Sequence, residues 1–316
     1  MDPLADLLDG PRARNAFLLR SVLDPPWSVR IQDQAPLALV AVVQGAAHVL
    51  PDHSDPAHLR AGDVAVLRGP DPYTVADDPH TPPQVIIHPG QVCQTLDGQP
   101  LDQAMDLGVR TWGNASDGET VILTGTYEFA GEICRRLLDA LPPLLVLSAD
   151  HADRVLTGLL ANEITKDDPG QEAVLDRLLD LVLIATLRAW FSRPDAQAPG
   201  WYRAYADPIV GPALRMLQNN PAQPWTVASL AHATNASRAA FARRFNELVG
   251  QPPLTFLTSW RLDLAADLLI ETNAPITAIA DQVGYGSPFA LSNAFKRAKG
   301  LSPQQYRNQT REQPAA

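Results

Sequence analysis

Two short stretches of this 316-residue chain carry side chains of the kinds that hydrogen-bond base edges and phosphates. In the first, Arg238, Ala239, Ala242, Arg243 and Asn246 follow Ser237; in the second, Phe289, Ala290, Asn293, Lys296 and Arg297 follow Ser287. Arg can grip guanine O6 and N7 through two hydrogen bonds, Asn can grip adenine N6 and N7, and small residues permit close approach. Lys and Arg also neutralise phosphates. Such side chains share an outward face only if each segment is a helix with its opposite face buried. Phe241, Phe245 and Leu248 supply that apolar stripe opposite Arg243, with Ser237 as N-cap. Leu291, Phe295 and Ala298 are expected to do the same opposite Asn293, with Ser287 as cap and Pro288 at the first helical position, where its missing N–H costs nothing. Arg244 falls nearer the stripe than Arg243, which predicts packing or a phosphate contact. Shorter apolar helices starting near Trp225 and Ile276 precede the two stretches, so the segment 224–300 holds two helix-turn-helix units and predicts a reader of double-stranded DNA.

Residues from about 207 to 310 resemble the DNA-binding domain of the AraC/XylS-type transcription regulators. The resemblance is carried by Ser237, Phe241, Arg243 and Phe245, by Trp260, Arg261 and Leu262, by Ala265, Ala266, Ile279 and Ala280, by Val283, Gly284 and Tyr285, by Phe295, Lys296 and Arg297, and by Gly300, Ser302, Pro303, Tyr306 and Arg307. It implies seven helices whose two recognition helices enter successive major grooves on one face of DNA. Asn293 stands where many members carry Arg, which alters the base expected at that position.

Charge divides the chain in the same place. The net charge is −10, yet residues 201–316 carry 11 Lys and Arg against 7 Asp and Glu, whereas residues 1–200 carry 14 against 28, giving +4 and −14. The basic part is expected on DNA and the acidic part off it. No apolar run approaches the roughly 20 residues that cross a bilayer, and the N-terminus lacks the basic start and apolar core of a leader, so a cytoplasmic protein without a membrane partner is expected.

Between Trp27 and Phe129, short apolar runs at Leu37–Val43, His48–Leu50, Val64–Leu67, Tyr73–Val75, Val85–Ile87 and Thr120–Phe129 alternate with Gly, Pro and Asp, a pattern of a β-sandwich or small barrel. Residues 59–75, with Gly62 and Asp63 turning into the next strand, resemble the core hairpin of the cupin-like domain that precedes the reader in many such regulators. The expected class is therefore α+β multidomain: a cupin-like sensor at 1–147, a helical dimerisation segment at 148–192, a linker at 193–204 and a double helix-turn-helix reader at 205–316. Helical patterns at Ala149–Glu163 and Gln171–Phe191 predict a helical hairpin, for which the resemblance to these regulators implies a dimerisation role, and packing of the same helices on the sensor is the alternative.

A small-molecule effector inside the barrel is the expected signal, with His48, Arg68, Tyr73 and Trp112 as candidate lining residues. Cys93 and Cys134 leave a thiol redox-responsive regulator open, since Arg135 and Arg136 favour a Cys134 thiolate, while Cys134 also starts an apolar helical pattern with Leu137, Leu138 and Leu141. A cupin metalloenzyme fused to a DNA-binding domain is the other alternative. His48, His53, His58, His80 and His88 lack the paired spacing of a metal cupin, so no metal, cofactor or catalytic residue is expected. The expected partners are an operator duplex, a second copy of the chain and an effector, with RNA polymerase as a further candidate.

Overall fold

The computed structural model describes residues 17–101, 103–127, 131–193 and 200–312, with the backbone alone described at Cys134, Trp201 and 310–312. The chain divides into two compact units, one β-rich and one helical.

In chain order the strands of the β-rich unit are β1 (Phe17–Leu23), β2 (Ser28–Ile31), β3 (Leu37–Gln44), β4 (Ala46–Pro51), β5 (Ala57–Arg60), β6 (Val64–Arg68), β7 (Tyr73–Ala76), β8 (Val85–His88), β9 (Val92–Thr95), β10 (Asp106–Gly108), β11 (Thr111–Gly113), β12 (Thr120–Tyr127) and β13 (Leu144–Leu147). One sheet has the order β10-β11-β1-β12-β3-β6-β13 and the other β5-β4-β7-β2-β8-β9. Leu23, Trp27, Val29, Ile31, Val40, Val49, Leu59 and Val75 draw residues of both sheets into one core, as expected for a sandwich closed toward a barrel. Alternation alone would leave every second residue of β3 wet, yet Leu37–Val42 are all buried. The second face of that sheet is covered by α2 (Arg154–Glu163) and α3 (Gln171–Phe191), where Tyr127 donates to the Leu179 carbonyl at 3.0 Å. Gly125 on β12 lets the Leu179 side chain lie close against the sheet, because a Cβ there would be 2.6 Å from it and would displace it.

The helical unit contains α1 (Glu132–Leu138), which lies in sequence between β12 and β13, and then α4 (Gly200–Tyr205), α5 (Val210–Asn219), α6 (Val227–Ala233), α7 (Arg238–Val249), α8 (Pro253–Glu271), α9 (Ile276–Val283), α10 (Pro288–Lys299) and α11 (Pro303–Glu312). The 19-residue α8 serves two cores. Phe245 meets Phe256 edge-on and Phe256 stacks on Trp260 near the α8 N-terminus. Leu262, Ala266 and Leu269 further along pack with Ile279, Val283, Leu291 and Phe295.

Three local expectations are corrected. Residues 200–204, placed in the linker, form most of α4, which packs against α7 with Ala204 buried; 194–199 and the end of the Thr120–Phe129 run lie outside the described residues. The helix expected from Ala149 starts at Arg154, because the Asp153 carboxylate accepts from Val155 N and Leu156 N at 3.1 Å and fixes the first turn. Ala298 lies on the Leu291 and Phe295 face by helical spacing but is exposed, because it borders an open groove with Leu254, Thr258 and Leu262 of α8 rather than packed core.

Candidate nucleic-acid interface

The first helix-turn-helix opens with a capping box, in which Thr226 Oγ1 accepts from Ser229 N at 3.0 Å and Ser229 Oγ accepts from Thr226 N at 2.9 Å. Its turn is closed by Ala236 N donating to the Ala231 carbonyl at 2.9 Å, and the second turn repeats this with Tyr285 N to the Ala280 carbonyl at 2.8 Å. Each turn contains one left-handed residue, Asn235 at φ 54° and Gly284 at φ 85°. Both types tolerate that region. Then α7 is capped by Ser237 on Ala240 N at 3.3 Å and α10 by Ser287 on Ala290 N at 3.2 Å, and each ends on a left-handed glycine, Gly250 or Gly300. The repeat is 49 residues across the turn bonds and 50 from the caps onward, so the second turn holds one extra residue, Gly286.

In this register Phe241 matches Leu291 and Phe245 matches Phe295, all buried, while Arg243 matches Asn293 on the outward face. Ser237, Arg238, Ala239, Arg243 and Asn246 are exposed on α7 with Ala242 half-buried; Phe289, Ala290, Asn293, Lys296 and Arg297 are exposed on α10 with Ser287 half-buried. The Arg243 side chain is 76% exposed and only loosely paired with Glu247 at 3.7 Å. Phe289 is 75% exposed, unlike Phe241, Phe245, Phe256 and Phe295 of the same unit, which are buried.

Five cations of the unit, Arg136, Arg244, Arg261, Lys299 and Arg307, are committed to structure. Arg244 holds Asp207 at 2.5–2.7 Å, while Asp207 also accepts from Ile209 N and Val210 N at 2.9 Å. Arg261 donates to the Pro221 and Gln223 carbonyls, and Arg307 to those of Leu269 and Ala274, so both seal backbone at the approaches to the two motifs. Lys299 bridges Glu132 at 2.9 Å and Asp263 at 2.7 Å, and Arg136 reaches Asp263 at 2.5 Å. Asp267 accepts from the first N–H groups of α1, Glu132 N at 2.6 Å and Ile133 N at 3.2 Å. Burial pushes the Asp267 carboxyl up to about 6, assisted by the Glu271 and Asp263 charges and opposed by those two N–H groups. These structural roles of Asp207, Asp263 and Asp267 were not anticipated from sequence; an Asp inside the apolar run of α8 was the available signal.

In the β-rich unit the four candidate lining residues separate. Tyr73 and Trp112 line a cavity in the barrel interior together with Trp27, Asp33 and Gln91, which sequence reading did not single out. Arg68 shares a different recess with Tyr73 and His53. His48 alternates outward on β4, where its Nδ1 lies 3.0 Å from the Asp77 carbonyl and its ring stacks on His58. Cys93 is buried in the core, which denies it the access a redox sensor needs; the Cys134 side chain lies outside the described residues. Among the described residues no three His, Cys, Asp or Glu side chains gather to hold a metal, and no helix is long and apolar enough to cross a membrane.

Comparison with known proteins joins the two units to one family. A cupin family model matches residues 2–192 and a helix-turn-helix domain model matches residues 230–309. A putative AraC-like transcription regulator of Streptomyces lividans is 35% identical over 97% of this chain and 98% of its own length. The HTH-type transcriptional regulator AlkR of Acinetobacter baylyi is 28% identical over 98% of this chain and 100% of its own. Among solved structures, the DNA-binding domain of AdpA, a global transcriptional factor crystallised with a target DNA, is 32% identical, with a TM-score of 0.33, over 34% of this chain and 96% of that one. With both domains matched and a relative above 30% identity across nearly the whole of both sequences, this chain belongs to the AraC-like DNA-binding transcription regulators.

Proposed function

We propose that this regulator reads an operator duplex through the outward faces of α7 and α10 and responds to a small molecule held in the barrel. The observation that carries the reading is the equivalence of the two faces: with both stripes buried, Arg243 and Asn293 occupy the same register position, each exposed on a capped helix. Arg243 is assigned to guanine and Asn293 to adenine, Phe289 to a thymine methyl group, and Arg238, Asn246, Lys296 and Arg297 to phosphate or base edges. Ser237, Ala239, Ala242, Ser287 and Ala290 set the close approach. The test is selection of duplexes from a random library by the full chain, followed by anisotropy titration at several salt concentrations. Affinity should fall steeply with salt, with a slope of roughly −0.9 per phosphate neutralised. A flat response, or no enriched sequence, contradicts the reading.

The sensing role is supported by the cavity around Tyr73 and Trp112. Dimerisation through α2 and α3 is supported by exposed apolar residues on both, Val155 and Leu159 on the first and Val174 and Leu181 on the second. Sedimentation of Leu159→Glu and Leu181→Glu variants checks it, since a dimer using this face should dissociate.

A further inference from the structure

We propose that the barrel interior takes an uncharged, mainly apolar, compact molecule presenting a hydrogen-bond acceptor, such as a small cyclic ketone, ester or ether, and rejects carboxylates and phosphates. The inference rests on reading the barrel as the sensor and names the class of ligand that it admits. The cavity spans about 570 Å³ with its mouth included, and its closed part is far smaller. Apolar side chains, Leu19, Leu23, Val29, Ile31, Val40 and Ile122 among them, make most of its wall, so a ligand gains mainly by burying apolar surface.

Three lining side chains bury a donor that has no partner in the protein: Trp27 Nε1, Tyr73 Oη and Trp112 Nε1. The residues are 2%, 5% and 8% exposed. Buried donors are nearly always bonded, and leaving one unpaired costs on the order of 1–3 kcal/mol. Three around one apolar cavity call for an acceptor delivered from outside the fold. Burial and the neighbouring Asp33 charge both push the Tyr73 phenol far above its usual range, so it remains a donor throughout the physiological pH range.

The charge of the wall excludes anions. Among the described residues that line it, Asp33 is the one ionisable carboxylate and none is Lys, Arg or His. A carboxylate ligand would be buried with no counter-charge and beside a like charge, which is strongly unfavourable. A cation is not called for either: the Asp33 oxygens already accept from Ala35 N at 3.1 Å and Gln91 Nε2 at 3.2 Å, and a cation would leave the three donors unpaired.

The experiment is calorimetric titration of the full chain with cyclohexanone and with cyclohexanecarboxylate, repeated on Tyr73→Phe and Trp112→Phe, alongside thermal melts without ligand. Cyclohexanone should bind at one site per chain and the carboxylate at least about tenfold more weakly, and Tyr73→Phe should weaken cyclohexanone about 2- to 10-fold, the value of one hydrogen bond. The same variant should melt at or above the wild-type temperature, because it removes an unpaired hydroxyl and keeps the ring. Trp112→Phe should also weaken the ketone, giving a second reading if Tyr73→Phe does not fold. Equal or tighter binding of the carboxylate overturns the proposed class while leaving the barrel as a sensor. Ketone affinity unchanged in both variants also overturns it. Failure of both probes to bind at millimolar concentration removes the barrel as a site for this class and withdraws support from the sensing role itself.

Discussion

Arg243 and Arg244 are neighbours in opposite surroundings, one exposed and one held by an acidic partner. Arg243 projects into solvent opposite Phe241 and Phe245, whereas Arg244 is held by the nearly buried Asp207. Arg244→Ala should lower the melting temperature of the protein and leave its ranking of DNA sequences unchanged; altered base preference at one position would place Arg244 in the groove. The loss should depend on pH. Burial pushes Asp207 up, but the Arg244 bond and the N–H groups of Val210 and Ile209 outweigh it and hold the carboxyl below its ordinary value of 3.8. Its stabilising contribution is therefore present above that value and lost as pH falls through the lower folded one, so variant and wild type should converge in acid. Sequence placed Arg243 outward and Arg244 nearer the stripe, because helical periodicity fixes direction. It could not find Asp207, which is 37 residues away and meets Arg244 only after α5 and α7 pack.

At the scale of elements, turn chemistry and capping specify the two motifs more tightly than helix propensity does. Gly284 sits at φ 85°, and a Cβ there would meet Ala222 Cα at 2.5 Å. Gly284→Ala should destabilise the helical unit by more than about 1–2 kcal/mol in denaturant unfolding; Asn235→Gly, at the equivalent left-handed position without such a contact, should be nearly neutral, and equal losses would contradict this account. The α1 cap gives a pH signature of opposite sign to that of Asp207. Asp267 titrates near 3.8 when free and is raised to about 6 in the fold, so the folded state binds more protons between those values and stability from this group rises as pH falls below 6. Asp267→Asn keeps an oxygen for Glu132 N and Ile133 N but does not titrate. The stability difference, wild type minus variant, should therefore grow by about 1–2 kcal/mol from pH 7 to pH 4.5 in urea titrations, and a constant difference would contradict the shift. Long apolar runs such as β3 and the periodic α3 were legible because their patterns exceed local noise. The exposed β10 and the brief β11 carry no such signal, and α4 was hidden by the Pro- and Ala-rich sequence before it.

For the whole molecule, the contrast between −14 in residues 1–200 and +4 in residues 201–316 assigns the DNA contact to one part of a chain that is acidic overall. A fragment of residues 197–316 should fold, bind DNA and keep the base preferences of the full chain; a folded fragment, by circular dichroism, with different preferences would show that bases are read elsewhere. Family and architecture were accessible from sequence because recognition-helix patterns are local, whereas the barrel cavity is built from strands distant in sequence and only Tyr73 and Trp112 among its key residues were foreseen. The central claim is that α7 and α10 read bases through Arg243 and Asn293. The direct measurement is binding of wild type, Arg243→Ala and Asn293→Ala to a selected duplex and to all its single-base substitutions at fixed salt. Each variant should lose about 1–3 kcal/mol on the selected duplex and become indifferent to the base at one position, a different position for each, at guanine for Arg243 and adenine for Asn293. If both variants instead weaken every duplex by the same factor, the two side chains hold phosphate and the outward faces do not read sequence through them.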